Sequence, residues 1–517
     1  MRVLRDYQIE AIDNVRKAFA NGCQSALVVL PTGTGKTVLF AKLANEWQSG
    51  RVLVLAHRIE LLDQAADKIG AELGYVPPVE QGMRRCDDEG LLDPSAVIVG
   101  SVATLRNSKR LGKFGSFGLV IVDEAHHVVA RSYKKIIEEC KAANLNCKFL
   151  GVTATPKRAD DMALGDVFEQ VAYSMEIAEA IERGWLVDIK QEFITIDSID
   201  LSGVRSAKNE VGESDFKRSE LEAILMQEEN LHGMATPILD RTQRGEQALI
   251  FTAGVQHAHL LASVLNRHKE QSAAAVDGET DPDRRNDINA RFLAGKLQYL
   301  VNFGIYTEGF DAPTTSRVVM ARPTKSPSLY IQMLGRGTRP LPGVVDGHES
   351  IEARLASIKA SGKPEMLVMD FVGNSRHKAI SAVDALGGEY PDDIQERAKE
   401  IIKEDGGDVL EELKRARAEK ALLKEEEEFL RLEKRSWIKG RSDYRADQVD
   451  VFGRRKNVMV QDQPKIREQC SNAQAGYIRH LAREAGEHWT FEDAKKLSPR
   501  QASGFIGKLQ AKLKARA

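Results

Sequence analysis

The sequence predicts an α/β protein: two tandem doubly wound parallel-sheet domains with an all-helical C-terminal extension. Three observations predict it. Short apolar runs alternate with longer helical patterns as far as about residue 380, the runs fall into two successive sets, and beyond 380 only helical, charge-rich patterns remain. The first set comprises 26–30, 52–55, 96–99, 119–122 and 149–152; the second comprises 248–251, 273–276, 298–301, 317–320 and 366–369. Unbroken apolar runs of this length suit strands buried on both faces by crossover helices. Two such sets imply two sheets, each presenting ligand at its carboxyl edge.

The elements then fall in order. Residues 1–195 form the first domain and 236–380 the second. Between them, 196–235 reads as a linker or small insertion, because Asp197 to Asn230 is polar, contains Gly203 and Gly212, and lacks a strand pattern. Residues 381–465 form a charged helical extension. Its helix from Val409 carries an apolar stripe at Val409, Leu413, Ala416, Leu423, Leu430 and Trp437, with Glu411/Arg415 and Glu427/Arg431 pairs at helical spacing. Residues 466–517 form a small basic helical module. There Ile478, Leu481, Ala482 and Ala485 share a face that Gly486 ends, and Thr490/Asp493 and Ser498/Gln501 stand as capping boxes.

Composition sets outer limits. A hydrophobic fraction of 42% and a charged fraction of 29% describe a globular chain, and no apolar run approaches membrane-spanning length. The net charge of -2 neither requires nor excludes nucleic acid, since a groove needs only local positive charge. Cys23, Cys86, Cys140, Cys147 and Cys470 never pair as C-x-x-C, so ordinary thiols and a cytoplasmic setting are expected rather than zinc or disulfides.

Three motifs carry chemistry. The first apolar run enters Pro31-Thr32-Gly33-Thr34-Gly35-Lys36-Thr37, followed by a helical pattern. Such a turn aims backbone N–H groups at a phosphate. Thr32, Gly33, Thr34 and Gly35 line it, Lys36 reaches the β/γ-phosphates, and Thr37 ligates Mg²⁺. Leu30 stands where the general pattern has its first glycine. The second motif, Asp123-Glu124-Ala125-His126, ends a strand with two acids. Asp123 suits the Mg²⁺ shell and Glu124 the activation of water, although an acid here could also cap a helix. The third, Gln332 to Arg339, places Arg336 and Arg339 three apart, facing one way if the segment is helical. Arginine supplies the positive charge that phosphoryl transfer needs.

Carrying these motifs, residues 1 to about 380 resemble a DEAH-box helicase of superfamily 2. The resemblance implies two RecA-like domains, ATP and Mg²⁺ as cofactors, and catalytic roles for Lys36, Asp123, Glu124, Gln332, Arg336 and Arg339. It makes Gln8, within Leu4-Arg5-Asp6-Tyr7-Gln8, the adenine reader, and Gly309 and Asp311 nucleotide contacts. Ala56-His57-Arg58, Gly100 to Thr104, Thr153-Ala154-Thr155-Pro156, Ile250-Phe251-Thr252 and Thr307 to Asp311 are similar to the family's remaining elements. From these, His57, Arg58, Thr104, Thr252 and Thr307 are the implied nucleic-acid contacts. Within the superfamily the set is most similar to RadD-type and phage-type DNA helicases. The implied activity is ATP-dependent DNA helicase or translocase action on single-stranded, forked or branched DNA, in repair, recombination or replication. An RNA helicase of the same superfamily, a motor subunit of a larger DNA-processing complex and a DNA-structure binding protein are the alternatives. In the terminal module, Arg479, Arg483, Lys495, Lys496, Arg500, Lys508, Lys512, Lys514 and Arg516 outnumber the acids. That excess fits a DNA-binding appendage and a solvated surface equally.

Overall fold

Each set of apolar runs builds one sheet. The computed structural model describes residues 4–56, 59–84, 86, 97–154, 164–209, 213–374, 380–388, 390–438, 446–449, 455–458, 470, 472–485 and 487–514. The chain divides into two compact units, Met1–Leu413 and Lys414–Ala517.

The first sheet contains β1 (Ser25–Val29), β2 (Arg51–Ala56), β3 (Val79–Glu80), β4 (Val97–Ser101), β5 (Phe117–Asp123), β6 (Lys148–Thr153) and β7 (Gln170–Ser174). Their order is β3-β4-β2-β5-β6-β1-β7, with every pair parallel. β1 is buried at all five residues and β5 at its first six, as strands covered on both faces must be. Because β6 separates β1 from β5, the loops leaving these three strands converge on one edge. That edge carries the glycine-rich turn, Asp123-Glu124 and Thr153.

The second sheet contains β8 (Asp188–Asp200), β11 (Gln247–Phe251), β12 (Ala273–Val276), β13 (Tyr299–Asn302), β14 (Thr315–Met320), β15 (Glu365–Asn374) and β16 (Gly407–Asp408), in the order β12-β13-β11-β14-β15-β8-β16. Only β16 runs antiparallel to its neighbour. β8 brings the second sheet back to Asp188, inside the stretch 1–195 expected for the first domain. Within 196–235, expected as a linker or small insertion, the described residues are structured. They hold the end of β8, a hairpin of β9 (Ser206–Lys208) and β10 (Ser214–Phe216), and the helices Arg218–Leu225 and Glu228–Arg241. Leu201, Val204, Phe216, Leu221 and Leu225 enter the second sheet's apolar core. The polar residues between them mask that pattern, because β8 alternates buried and exposed positions instead of running apolar. Gly212 lies outside the described residues.

The extension is not all-helical. The helix Val409–Ile438 forms as expected, but β17 (Ala446–Val449) and β18 (Arg455–Val458) pair antiparallel. Their sequences carry no apolar alternation, so only backbone pairing defines them. Along the helix Val409, Leu413 and Ala416 are buried while Leu423 is exposed, so the expected stripe breaks there. The terminal module has helices Asn472–Glu484, Phe491–Lys495 and Pro499–Lys514 around Ile478, Leu481, Ala482, Ala502, Ile506 and Leu509. The Ser498 box forms in full, Ser498 N donating to Gln501 Oε1 at 2.9 Å and Gln501 N to Ser498 Oγ at 3.3 Å, whereas at Thr490 the cap alone forms, Asp493 N donating to Thr490 Oγ1 at 3.1 Å. Gly486 falls outside the described residues. No helix among the described residues is long and apolar enough to cross a membrane. The five cysteines are free thiols.

Candidate active site

The glycine-rich turn follows β1 and opens the helix Lys36–Glu46. Gly33 and Gly35 adopt φ values of +92° and +81°, which L side chains rarely adopt. A Cβ on Gly35 would also come within 2.8 Å of Gln8 Nε2. Thr34 is buried, and its hydroxyl donates to Pro31 O at 2.7 Å, closing the turn on itself. Thr37, in the first helical turn, is half-buried.

The turn is braced from outside. Gln8 Nε2 donates to Thr34 O at 3.0 Å, while Gln8 Oε1 accepts from Arg5 N at 3.0 Å. The expected adenine reader thus ties the N-terminal helix to the phosphate turn. Tyr7, to which the sequence assigned no role, does the same: its hydroxyl donates to Thr34 O at 2.5 Å. Only its position beside Gln8 could have signalled this.

β5 delivers the acids. Glu124 takes a left-handed backbone at φ +50°, a strained choice for a side chain of this size, and one that turns its carboxylate toward the glycine-rich turn. Lys36 Nζ donates to Glu124 Oε1 at 3.2 Å. Glu124 Oε2 is buried without a hydrogen-bond partner among the described residues. Desolvation, then the neighbouring Glu124 carboxylate, pushes the Asp123 carboxyl up to about 7. A desolvated acid beside a second carboxylate is where a divalent cation would relieve unfavourable charge. With Thr37 next to Lys36, whose ammonium reaches Glu124, the donor set fits Mg²⁺, and the two left-handed glycines fit a phosphate chain.

The second domain closes on this edge. A Cβ on Gly335 would lie 2.6 Å from Thr32 Cβ, and one on Gly33 would lie 3.7 Å from Thr338 Oγ1 and 3.9 Å from Arg339 Cβ. Val187 N donates to Thr338 O at 2.9 Å. The expected helix through the arginines stops earlier, however: it spans Pro327–Leu334, and Arg336 and Arg339 lie in the turn beyond it. Gly335 and Gly337 favour leaving the helix there, and Arg336 and Arg339 reach different partners. Arg336 Nε and Nη2 donate to Thr307 O at 3.1 and 2.9 Å, and Nη1 donates to Phe310 O at 3.0 Å. Burial lowers its pKa below the ordinary guanidinium value, while the nearby Glu124 and Glu308 carboxylates oppose that shift. Arg339 forms an ion pair with Asp311. Gly309 stands at φ +76° in the loop between. Gln332 Nε2 donates to Glu308 Oε1 at 3.3 Å. Lys363, another residue without a sequence signal, donates to Pro313 O at 2.8 Å and Arg339 O at 2.7 Å; burial pushes its pKa down to about 7.

Gly335 has φ −62° and ψ −11°, ordinary for any residue. Gly335→Ala therefore strains no backbone, and its methyl meets Thr32 across the cleft. ATP turnover is expected to fall about tenfold or more with little change in Tm, because closure is blocked while each domain stays intact. Turnover within about twofold of the unmodified chain would show that closure tolerates the methyl.

The expected strand contacts divide. Thr104 is half-buried, and its Oγ1 accepts from Gly82 N at 2.9 Å in an open groove of the first domain. Thr252 is buried, and its hydroxyl donates to Asn302 O at 2.9 Å, fastening the end of β11. Thr307 is also buried and serves through its carbonyl, which holds Arg336. His57, Arg58, Thr155 and Pro156 lie outside the described residues. Thr153 is buried, with Oγ1 3.2 Å from His126 Nδ1.

Known proteins resemble this chain in sequence and fold. Residues 2–158 match the family model of the type III restriction enzyme res subunit, and residues 228–340 match that of the helicase conserved C-terminal domain. The chain is 33% identical over 428 residues to the provisionally assigned ATP-dependent helicase IRC3 of Saccharomyces cerevisiae, a match covering 79% of this chain and 57% of IRC3. The chain thus spans less than two thirds of that relative's length. It is 24% identical over 366 residues to a protein of Sulfurisphaera tokodaii named DNA 3'-5' translocase XPB2, covering 64% of this chain and 78% of XPB2. Among solved structures, a fragment of a provisionally assigned HsdR subunit of a type I restriction enzyme from Vibrio vulnificus aligns with TM-score 0.50 and 22% identity, covering 72% of this chain and 64% of that one. That likeness speaks for the fold, two RecA-like domains in tandem. With both conserved blocks matched and the motif residues assembled at the junction of two such domains, the chain belongs to helicase superfamily 2.

Proposed function

We propose that the chain is a Mg²⁺- and ATP-dependent DNA helicase or translocase acting on single-stranded, forked or branched DNA in repair, recombination or replication. One observation carries this reading: the groups suited to phosphoryl transfer are split between two domains that touch at Thr32 and Gly335. Lys36 and the turn's N–H groups bind the phosphates of ATP, Glu124 takes the proton of the attacking water, and Arg336 offers charge to the γ-phosphoryl group from the second domain. Mg²⁺, held by Thr37 and Asp123, would neutralise developing phosphate charge. A site divided in this way turns over only when the domains close, so each cycle couples chemistry to movement.

A basic groove beside Thr104 supports a nucleic-acid track. Arg106, Lys109, Arg110, Arg131 and Lys135 line it. Arg110 is engaged with Glu80, and Lys135 stands 3.7 Å from Glu139. Lys109 and Arg131 have no ion pair among the described residues, which suits phosphate contact. DNA is favoured over RNA by the name of XPB2. In the terminal module, Arg479, Arg483 and Lys508 also have no ion pair among the described residues, and we assign that module a supporting DNA contact.

Replacing both Lys109 and Arg131 by Ala is expected to weaken single-stranded DNA binding regardless of sequence. The salt dependence of log K should flatten by about 1.4 for two lost phosphate contacts. An unchanged slope would remove this groove from the track. The function itself is tested by ATP hydrolysis with single-stranded, forked and duplex DNA and with RNA. Stimulation by DNA, strongest on forks or branches, is the expected result; stimulation by RNA alone would overturn the substrate.

A further inference from the structure

Immediately beyond the two acids, the chain places His126 and His127 side by side, their ring centroids 4.1 Å apart. Glu308 of the second domain faces both. Its Oε1 lies 4.0 Å from His126 Nε2 and 3.7 Å from His127 Nε2. One ligand atom from each of the three residues lies within 4.8 Å of the other two. His126 is 5% exposed, and its Nε2 is buried without a hydrogen-bond partner among the described residues. The tautomer that donates from Nδ1 to Thr153 Oγ1 leaves the Nε2 lone pair aimed at Glu308. ATP binding and phosphoryl transfer, as assigned above, use none of these imidazoles.

We propose that His126, His127 and Glu308 form a zinc site bridging the two domains, and that zinc bound there holds the cleft closed. Two imidazoles and a carboxylate are a zinc donor set that leaves a fourth position for water. Tetrahedral zinc places such ligand atoms about 3.4 Å apart, so the two Glu308 pairs close by about half an ångström and the imidazole pair by about an ångström or more. Mg²⁺ does not compete, because it prefers an all-oxygen shell and dehydrates reluctantly. The binding claim stands apart from the proposed motor activity; the inhibition that follows from a locked cleft rests on it.

The test titrates the full metal-stripped chain with Zn²⁺ against a chromogenic zinc indicator, alongside His127→Ala and Glu308→Gln, with metal-free Tm as the folding control. One zinc per chain is expected, with affinity reduced by about tenfold or more in each variant. Substituting Co²⁺ should give the visible absorption of a tetrahedral ion, lost in His127→Ala. Zinc affinity equal in all three chains, or no zinc bound by the unmodified chain, overturns the site. In a second arm, Zn²⁺ should slow steady-state ATP hydrolysis at fixed excess Mg²⁺, and His127→Ala should escape that inhibition. Binding lost in the variants without any inhibition would retain the zinc site and reject the closed-cleft consequence. Hydrolysis absent even without zinc would instead reject the motor reading and leave the binding result standing.

Discussion

Glu124→Gln is expected to lower the maximal ATP turnover by about 10²- to 10⁴-fold, the range a positioned general base contributes, while ATP still binds. The amide keeps the size of the carboxylate, and its oxygen can still accept from Lys36 Nζ, now 3.2 Å from Glu124 Oε1. The phosphate turn should therefore keep its geometry. What disappears is the proton acceptor at Oε2, the buried atom that has no hydrogen-bond partner among the described residues. Removing the negative charge also removes one of the causes that raise the Asp123 carboxyl, so Asp123 should ionise more readily and hold Mg²⁺ at least as well. The variant thus separates binding from chemistry. Single-turnover hydrolysis and equilibrium binding of a fluorescent ATP analogue measure the two; hydrolysis within about threefold of the unmodified chain would remove Glu124 from the base role.

Much of this site could be read from the sequence because its signals are local. All ten apolar runs became strands, and the turn at Gly33 and Gly35 needs the backbone that glycine permits. Sequence failed where contacts are non-local or where a strand is only half covered. β8 alternates buried and exposed residues, so it lacked the continuous run used to find its neighbours. The Thr252 hydroxyl donates to the Asn302 carbonyl, fifty residues away, a bond that no local pattern announces. Lys363 and Glu308 acquire their roles only when the second domain folds and meets the first. A spacing of three between Arg336 and Arg339 suggested a helix, yet the intervening Gly337 and the preceding Gly335 let the chain turn and send each side chain to a different partner.

That divergence makes the two arginines unequal, and Arg336→Ala is expected to be the more damaging change. Loss of a trans-acting arginine removes about 10³- to 10⁵-fold of phosphoryl-transfer rate. Arg336 is half-buried, near Glu124, and held by three donations to the carbonyls of Thr307 and Phe310. Its removal also leaves the carbonyls of buried Thr307 and half-buried Phe310 without their donor, at about 1–3 kcal/mol, so Tm should fall together with kcat. Arg336→Lys restores charge without the planar fork, and one ammonium cannot reproduce both carbonyl contacts and the phosphate contact. That variant should recover part of the Tm and little of the rate. Arg339 instead has a side chain 30% exposed and an ion pair with Asp311, and Arg339→Ala should cost less in both measures. The comparison is made from kcat and kcat/KM with saturating DNA, together with thermal melts of each variant. If Arg339→Ala loses the rate while Arg336→Ala keeps it, the catalytic arginine is Arg339, and Arg336 serves only to shape the Thr307–Asp311 loop.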